Sequence, residues 1–341
     1  MKKYLVTGGN GFLGTNLVKA LLRASDHEQT IHRSSRVICE ASQCEANSIE
    51  GYGRTNKVFV LTEPNPNLQS LQDVINNIEI IECDISKQDK VLQAIKTIKP
   101  NVIFHLAAVG IKPGEHDLHQ LFNVNFHGTV NLLHACKQVG FECFINTGTA
   151  SEYGNKEHPL EESMMLAPED DYSISKAATT LYCQKEAIRN NLPIYTVRPF
   201  CLYGDFEAPH RLVPSVIRGA LANEPIKLSS PALVRDFIYV KDVANLYLTL
   251  ADKRPTEDHI FNVGTGKQHT VGDVVATIEK IVDKKLDLRW NTLPPRPWEF
   301  KNWQANVERT KNILGWQAKY SLEEGLRQTI KWYERYSSCL H

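Results

Sequence analysis

The sequence predicts an α/β fold, a doubly wound parallel sheet with a smaller lobe partly interleaved with it. Three observations carry this. Short β-branched runs alternate with longer amphipathic stretches, the rhythm of repeated βα units. The runs are almost continuously apolar, as strands are when helices cover both faces of a sheet. The first run leads through a glycine-rich turn into the first helical pattern.

In chain order, strand "YLVTG" (4–8) precedes helix "GTNLVKALLRAS". Residues 26–56 are too long for the few that usually join a helix to the next strand. Either "RVICE" is the second strand or this stretch is an insertion before "KVFVLT" (57–62). The insertion is favoured, because the spacing to "IEIIECD" (78–84) then suits one further helix. Helix "QDKVLQAIKTI", strand "VIFHLAA" (102–108), helix "LFNVNFHGTVNLLHACKQVG", strand "CFINTG" (143–148), helix "SISKAATTLYCQKEAIRNN" and strand "IYTVRP" (194–199) follow. Beyond residue 200 prolines are more frequent and elements shorter. Residues 201–341 are expected to form the smaller, substrate-binding lobe, closing a cleft over the carboxyl edge of a sheet built by residues 1–200.

Lys plus Arg and Asp plus Glu each number 39, so no net field draws in nucleic acid or an anionic membrane. No apolar run nears the roughly 20 residues of a membrane span. The start, "MKKYLVTGGNG", reads as a strand rather than a signal peptide, and a cytoplasmic protein is expected. The eight cysteines lack C-x-x-C spacing and read as buried small hydrophobes in a reducing compartment. His32, Cys39 and Cys44 match no zinc pattern, so no metal site is expected.

"TGGNGFLG" places Gly8, Gly11 and Gly14 between a strand and a helix. Small residues there allow a tight turn, close approach of a pyrophosphate, and packing of helix on strand. At the end of the second strand an acidic residue would accept from a ribose. Glu63 can do so for NAD, while Thr62 at the more usual position leaves room for the phosphate of NADP. In "YSISK", Tyr172 and Lys176 are i and i+4 and share one helix face. A lysine ammonium beside a phenol favours the phenolate, which can take a hydroxyl proton while hydride leaves. "NTGTASEYG" (146–154) crowds three hydroxyls, a carboxylate and a phenol after a strand, with Thr149 placed 23 residues before that tyrosine.

The glycine turn, "DI" (84–85), "HLAA" (105–108), "NFHGT" (125–129), "TASEYG", "YSISK", "RPF-LYG" (198–204), "RDFIYVKDV" (235–243), "FNVGTG" (261–266) and "LGW" (314–316) occur in one order. Together they resemble the extended short-chain dehydrogenase/reductase family, in its NAD-dependent nucleotide-sugar epimerase and dehydratase branch. That resemblance implies a Rossmann sheet. Gly8, Gly11 and Gly14 would hold the pyrophosphate, Phe12 and Leu13 between them would also bind the cofactor, and Asp84 and Ile85 would flank the adenine. Leu106, Ala107, Ala108 and Pro199 would line the cofactor, and Asn125 would support the helix beside the reaction centre. It implies Tyr172 as acid/base, Lys176 on the nicotinamide ribose, and Thr149 on the reacting hydroxyl with Ser151 beside it. Arg211, Arg235 and Arg296 would serve the diphosphate of a nucleoside-diphosphate sugar, and helices around 115–135 and 172–188 would pair in a homodimer.

Departures bear on the reaction. Where 4,6-dehydratases carry acids after the threonine, this chain has Ala150 and Ser151, with Glu152 one place later. Cys201 replaces the asparagine common in sugar 4-epimerases. An epimerase oxidising transiently at C4 is the leading expectation, with a 4-keto-sugar reductase or atypical dehydratase as alternatives. A non-catalytic dinucleotide sensor is the rival from another class, opposed by the joint presence of Thr149, Tyr172 and Lys176.

Overall fold

Alternating side chains build both faces of the central sheet. In β1 (Lys3–Thr7), Val6 points into one core and Leu5 into the opposite one. The computed structural model describes residues 1–24, 56–110, 117–293 and 302–336. "RVICE", His32, Cys39, Cys44 and Arg296 lie outside the described residues.

The expected strands form as β2 (Lys57–Thr62), β3 (Glu79–Glu82), β4 (Val102–His105), β5 (Cys143–Thr147) and β6 (Ile194–Pro199). Short strands β7 (Cys201–Tyr203), β8 (Ile226–Lys227), β9 (Val234–Arg235) and β10 (Phe237–Tyr239) precede β11 (Ile260–Val263). β12 (His269–Thr270) and β13 (Leu288–Arg289) complete the described strands. β11 joins the main sheet, whose order is β3-β2-β1-β4-β5-β6-β11, with every pair parallel. The order reverses direction between β1 and β4, the switch point at which such sheets bind ligands beyond their carboxyl ends.

Helices cover both faces. Residues 12–24 form α1, which packs Leu17, Val18 and Leu21 on the Val6 face. On the Leu5 face lie α2 (Gln88–Ile98), α4 (Gly128–Val139) and α5 (Asp171–Asn190). The helix expected between β2 and β3 is a 3-10 run, Gln69–Asn77. The stretch 121–140 is interrupted: α3 (Leu118–Leu121) passes into a π-helical segment, Phe122–His127, before α4. Such wide turns are frequent at functional sites, and this one carries Asn125.

A separate core joins α6 (Leu212–Ala222), α8 (Val271–Val282) and α10 (Leu322–Tyr336) around Tyr203, Val216, Val274 and Leu326, while α7 (Val240–Lys253) returns to the sheet. In the segment 303–316 only α9 (Glu308–Leu314) is helical; Ala305 bridges Leu160 in extended chain instead. Among the described residues no helix is long and apolar enough to cross a membrane, and no group of His, Cys, Asp or Glu could hold a metal.

Candidate active site

After β1 the chain turns in a space that admits no side chain. Gly8 adopts φ +66°, and a Cβ there would stand 2.9 Å from the Ala107 Cα; one on Gly14 would stand 2.2 Å from the Gly8 carbonyl oxygen. The Gly11 amide donates to the Gly8 carbonyl (3.0 Å) and Thr15 to Gly11 (2.8 Å), so the turn runs directly into α1, where Phe12 and Leu13 are half-buried. Thr7 Oγ1 accepts from the Leu106 and Ala107 amides, each at 3.2 Å, and bonds His105 Nδ1 at 2.7 Å, fixing this turn to the end of β4. His105 Nε2 meets Thr129 Oγ1 at 2.8 Å, and burial pulls the ring down to about 3. His105 is thus a neutral structural clamp.

Thr62 is buried at the end of β2, and its Oγ1 has no hydrogen-bond partner among the described residues. Glu63 follows it, exposed. Asp84 and Ile85 leave β3: Asp84 Oδ1 accepts from the Ser86 amide (2.9 Å), and Ile85 is buried with its carbonyl held by Asn131 (3.0 Å). A backbone cradle that any Cβ would fill, at a helix N-terminus, with an unpaired buried hydroxyl at the next strand end, fits a dinucleotide. Gly8, Gly11, Gly14, Thr62, Leu106 and Ala107 would border it.

Tyr172 opens α5, whose N-cap Asp170 accepts from the Ser173 amide at 2.6 Å. Asn125 braces this helix from the π segment: its Nδ2 donates to Ser175 Oγ (2.9 Å), its Oδ1 accepts from the Val109 amide (2.9 Å), and Ser175 Oγ donates to the Tyr172 carbonyl (2.7 Å). Lys176 is 3% exposed, and no carboxylate lies within ion-pair distance of it among the described residues. Burial lowers it to about 8, with Glu152 opposing. Burial likewise raises the Tyr172 phenol, opposite to the depression expected from Lys176; Glu152 adds to the rise and Arg211 counters it.

After β5, residues Ala150–Tyr153 form a 3-10 turn capped by Thr149. Thr149 Oγ1 accepts from the Ser151 amide (3.2 Å) and donates to Ser151 Oγ (3.3 Å). Glu152 is wholly buried. Its Oε1 accepts from the Thr149 amide (2.9 Å) and from Thr180 Oγ1 on α5 (3.0 Å), and its Oε2 accepts from Arg198 Nε (2.8 Å). Arg198 Nη1 donates onward to the Tyr153 hydroxyl (2.9 Å), which donates to Asn262 Oδ1 (2.7 Å). Burial raises Glu152 above the usual carboxylate range while Arg198 opposes it.

Arg211 precedes α6 and reaches Tyr172 through its charge. Arg235 lies on β9, stacked 5.4 Å from the Trp303 ring centre, and Pro199 ends β6. Sequence reasoning missed Arg198, Asp236 and Glu207. Asp236 accepts from the Thr265, Gly266 and Ala305 amides (2.8, 3.0 and 3.1 Å) and so seats the 302–307 segment against the end of β11. Glu207 has one buried oxygen with no partner among the described residues and is pushed by burial up to about 8, against Arg211. Arg198 was findable: a charge inside an apolar strand must be paired. Glu207 carries no comparable signal.

A dinucleotide cradle beside a Tyr-x-x-x-Lys helix at the switch point of a doubly wound sheet defines an NAD(P)-binding α/β protein. The chain belongs to the NAD dependent epimerase/dehydratase family, matched over residues 4–264. It is 26% identical over 339 residues to a trifunctional UDP-glucose 4,6-dehydratase/UDP-4-keto-6-deoxy-D-glucose 3,5-epimerase/UDP-4-keto-L-rhamnose-reductase of Arabidopsis thaliana, covering 97% of this chain and 47% of that protein. It therefore spans about half the length of that relative. A UDP-glucuronate 4-epimerase of Thermodesulfobacterium geofontis is 25% identical, with 97% of this chain and 96% of that one covered. The structure of dTDP-glucose 4,6-dehydratase from Bacillus anthracis in complex with NAD is similar at a TM-score of 0.80 and 25% identity, over 99% of this chain and 98% of that one.

Proposed function

We propose that the protein is a nucleoside-diphosphate-sugar epimerase that uses NAD and works by transient oxidation at C4. Its similarity to both an epimerase and a dehydratase does not choose between them. The observation that carries the choice is the placement of Glu152. Eliminating water requires an acid beside the leaving hydroxyl. Ala150 and Ser151 supply none, and Glu152, the carboxylate of this turn, is buried on Arg198 and the Thr149 amide. What remains is proton and hydride exchange at one carbinol.

A bound nicotinamide supplies hydride acceptance and return. Thr149 Oγ1 orients the sugar hydroxyl, and Tyr172 Oη takes its proton and later restores it. Lys176, at about 8, stays largely protonated at neutral pH. Its charge offsets the burial cost of the Tyr172 phenolate as that forms. Arg211, Arg235 and Arg296 are assigned to the diphosphate, and residues 201–341 to the substrate side. Cys201, in place of an asparagine, favours a second reading, reduction of a 4-keto sugar.

Nucleotide sugars interconverted with no net change at 340 nm support the epimerase; stoichiometric NADPH loss on a 4-keto sugar selects the reductase. Tyr172→Phe is expected to lower turnover by about 10³-fold while NAD still binds, and a fully active variant would defeat the mechanism. Exposed Ile174, Leu181 and Ile188 recur every seven residues on α5 at 40%, 55% and 64% exposure, which supports a homodimer through this helix. A monomer mass by light scattering would reject it. The buried free cysteines support a cytoplasmic location.

A further inference from the structure

We propose that Glu152 is a positioning residue for this reaction centre, its charge fixed beneath Thr149 to orient that hydroxyl and to govern proton transfer at Tyr172 and Lys176. The inference rests on the reading of those three residues as the site of reaction. It does not follow from stability. Replacing a buried ion pair with apolar side chains of similar volume is often neutral or stabilising, so a pair of 0% and 2% exposure is a poor way to fill space. Its geometry points at the reactive turn instead. One oxygen holds the amide of Thr149 and, through Thr180, ties the turn to the helix bearing Tyr172 and Lys176. The same oxygen packs so closely on the backbone before it that a Cβ on Gly148 would stand 2.5 Å away. Arg198 holds the second oxygen and is itself held by Tyr153, so the carboxylate has no freedom to swing away.

The charges around the dyad can be enumerated. Asp170 at the α5 N-cap, Arg211 ahead of α6 and Tyr247 on α7 act on Tyr172 together with Glu152. Cys183 on α5 and His105 at the end of β4 interact with Lys176, again together with Glu152. Glu152 thus acts on both members and favours the protonated form of each.

Glu152→Gln retains the size and the acceptor for the Thr149 amide and removes the charge. The NH2 that replaces Oε2 faces the Arg198 Nε–H donor to donor, so the side chain shifts beneath Thr149. The kcat is expected to fall about 10- to 100-fold, with KM within about 3-fold of the parent. With the carboxylate gone the phenol ionises more readily, so the rising limb of kcat against pH moves down by about one unit. Should Glu152→Gln fold poorly, the double variant Glu152→Gln with Arg198→Met, neutral again, is measured at matched melting temperature, and its limb is expected between the other two. A lower rate with an unmoved pH profile, or parental kinetics in the double variant, overturns the inference. If Tyr172→Phe abolishes turnover while Glu152→Gln behaves as the parent, only this inference fails. If Tyr172→Phe is fully active, the reading beneath it fails instead.

Discussion

Two turns at the same sheet edge are built by opposite means. The turn after β1 works by subtraction: at Gly8 and Gly14 any side chain would collide with backbone, and the room so kept lies at a helix N-terminus. The turn after β5 works by addition: Glu152, Arg198, Tyr153 and Asn262 fill its underside with consecutive hydrogen bonds of 2.7–2.9 Å. The first can be specified locally, because a glycine spacing is enough to leave space. The second depends on residues up to 109 positions apart and exists only once β5, β6 and β11 lie side by side.

Substitutions separate these two designs. The largest effect is expected from Arg198→Met, which leaves the Glu152 carboxylate buried with only the Thr149 amide and Thr180 hydroxyl to satisfy it. A loss of about 3–5 kcal/mol in urea unfolding is expected. An unchanged midpoint would show that the second turn does not depend on its ion pair.

Lys176→Met tests the cost of burying an amine on α5. The folded-state value of about 8 lies below the model-peptide value of 10.5, so folding disfavours the charged amine. The sign follows: the unfolded chain binds more protons between those values, and stability of the parent rises with pH across that window. Lys176→Met removes a penalty of about 3 kcal/mol that is full below pH 8 and gone above the unfolded value. The variant is therefore expected to melt higher than the parent at pH 7, to lose that advantage by about pH 10.5, and to lack turnover. A pH-independent difference in stability would show that the amine is not held in a desolvated site.

These contrasts explain how much of the molecule was legible in its sequence. The strands were visible because a doubly covered sheet demands unbroken apolar runs, and Gly8, Gly11 and Gly14 because subtraction leaves its mark in place. Tyr172 and Lys176 were visible as a helical pair. The direction of the phenol's displacement was not, since burial outweighs a neighbouring charge and burial is a property of the assembled fold. Nor was the π segment, which interrupts an amphipathic pattern that reads as one helix while aiming Asn125 at Val109 and Ser175.

The first turn has its own test of subtraction. Gly14→Ala places a methyl 2.2 Å from the Gly8 carbonyl and 2.6 Å from the Gly9 Cα, backbone that cannot rotate aside. A cost of about 1–3 kcal/mol in stability is expected, with NAD affinity in calorimetry falling beyond what unfolding explains. Full affinity would mean that the cradle tolerates a side chain and that the glycine serves only packing.

The smallest effect sits at the seam between the two designs. Thr62, at the end of β2 beside the turn made by leaving atoms out, is a buried hydroxyl with no partner among the described residues. An unmet hydroxyl in an apolar setting costs about 1 kcal/mol or more, a cost that a bound cofactor would relieve. Thr62→Val has the same shape and no hydroxyl, so the free protein is expected to gain about 1 kcal/mol in thermal unfolding while NAD binds several-fold more weakly. The two measurements must move in opposite directions. If stability and affinity fall together, the hydroxyl is structural, and the adenosine end must be recognised by Glu63 or by backbone alone.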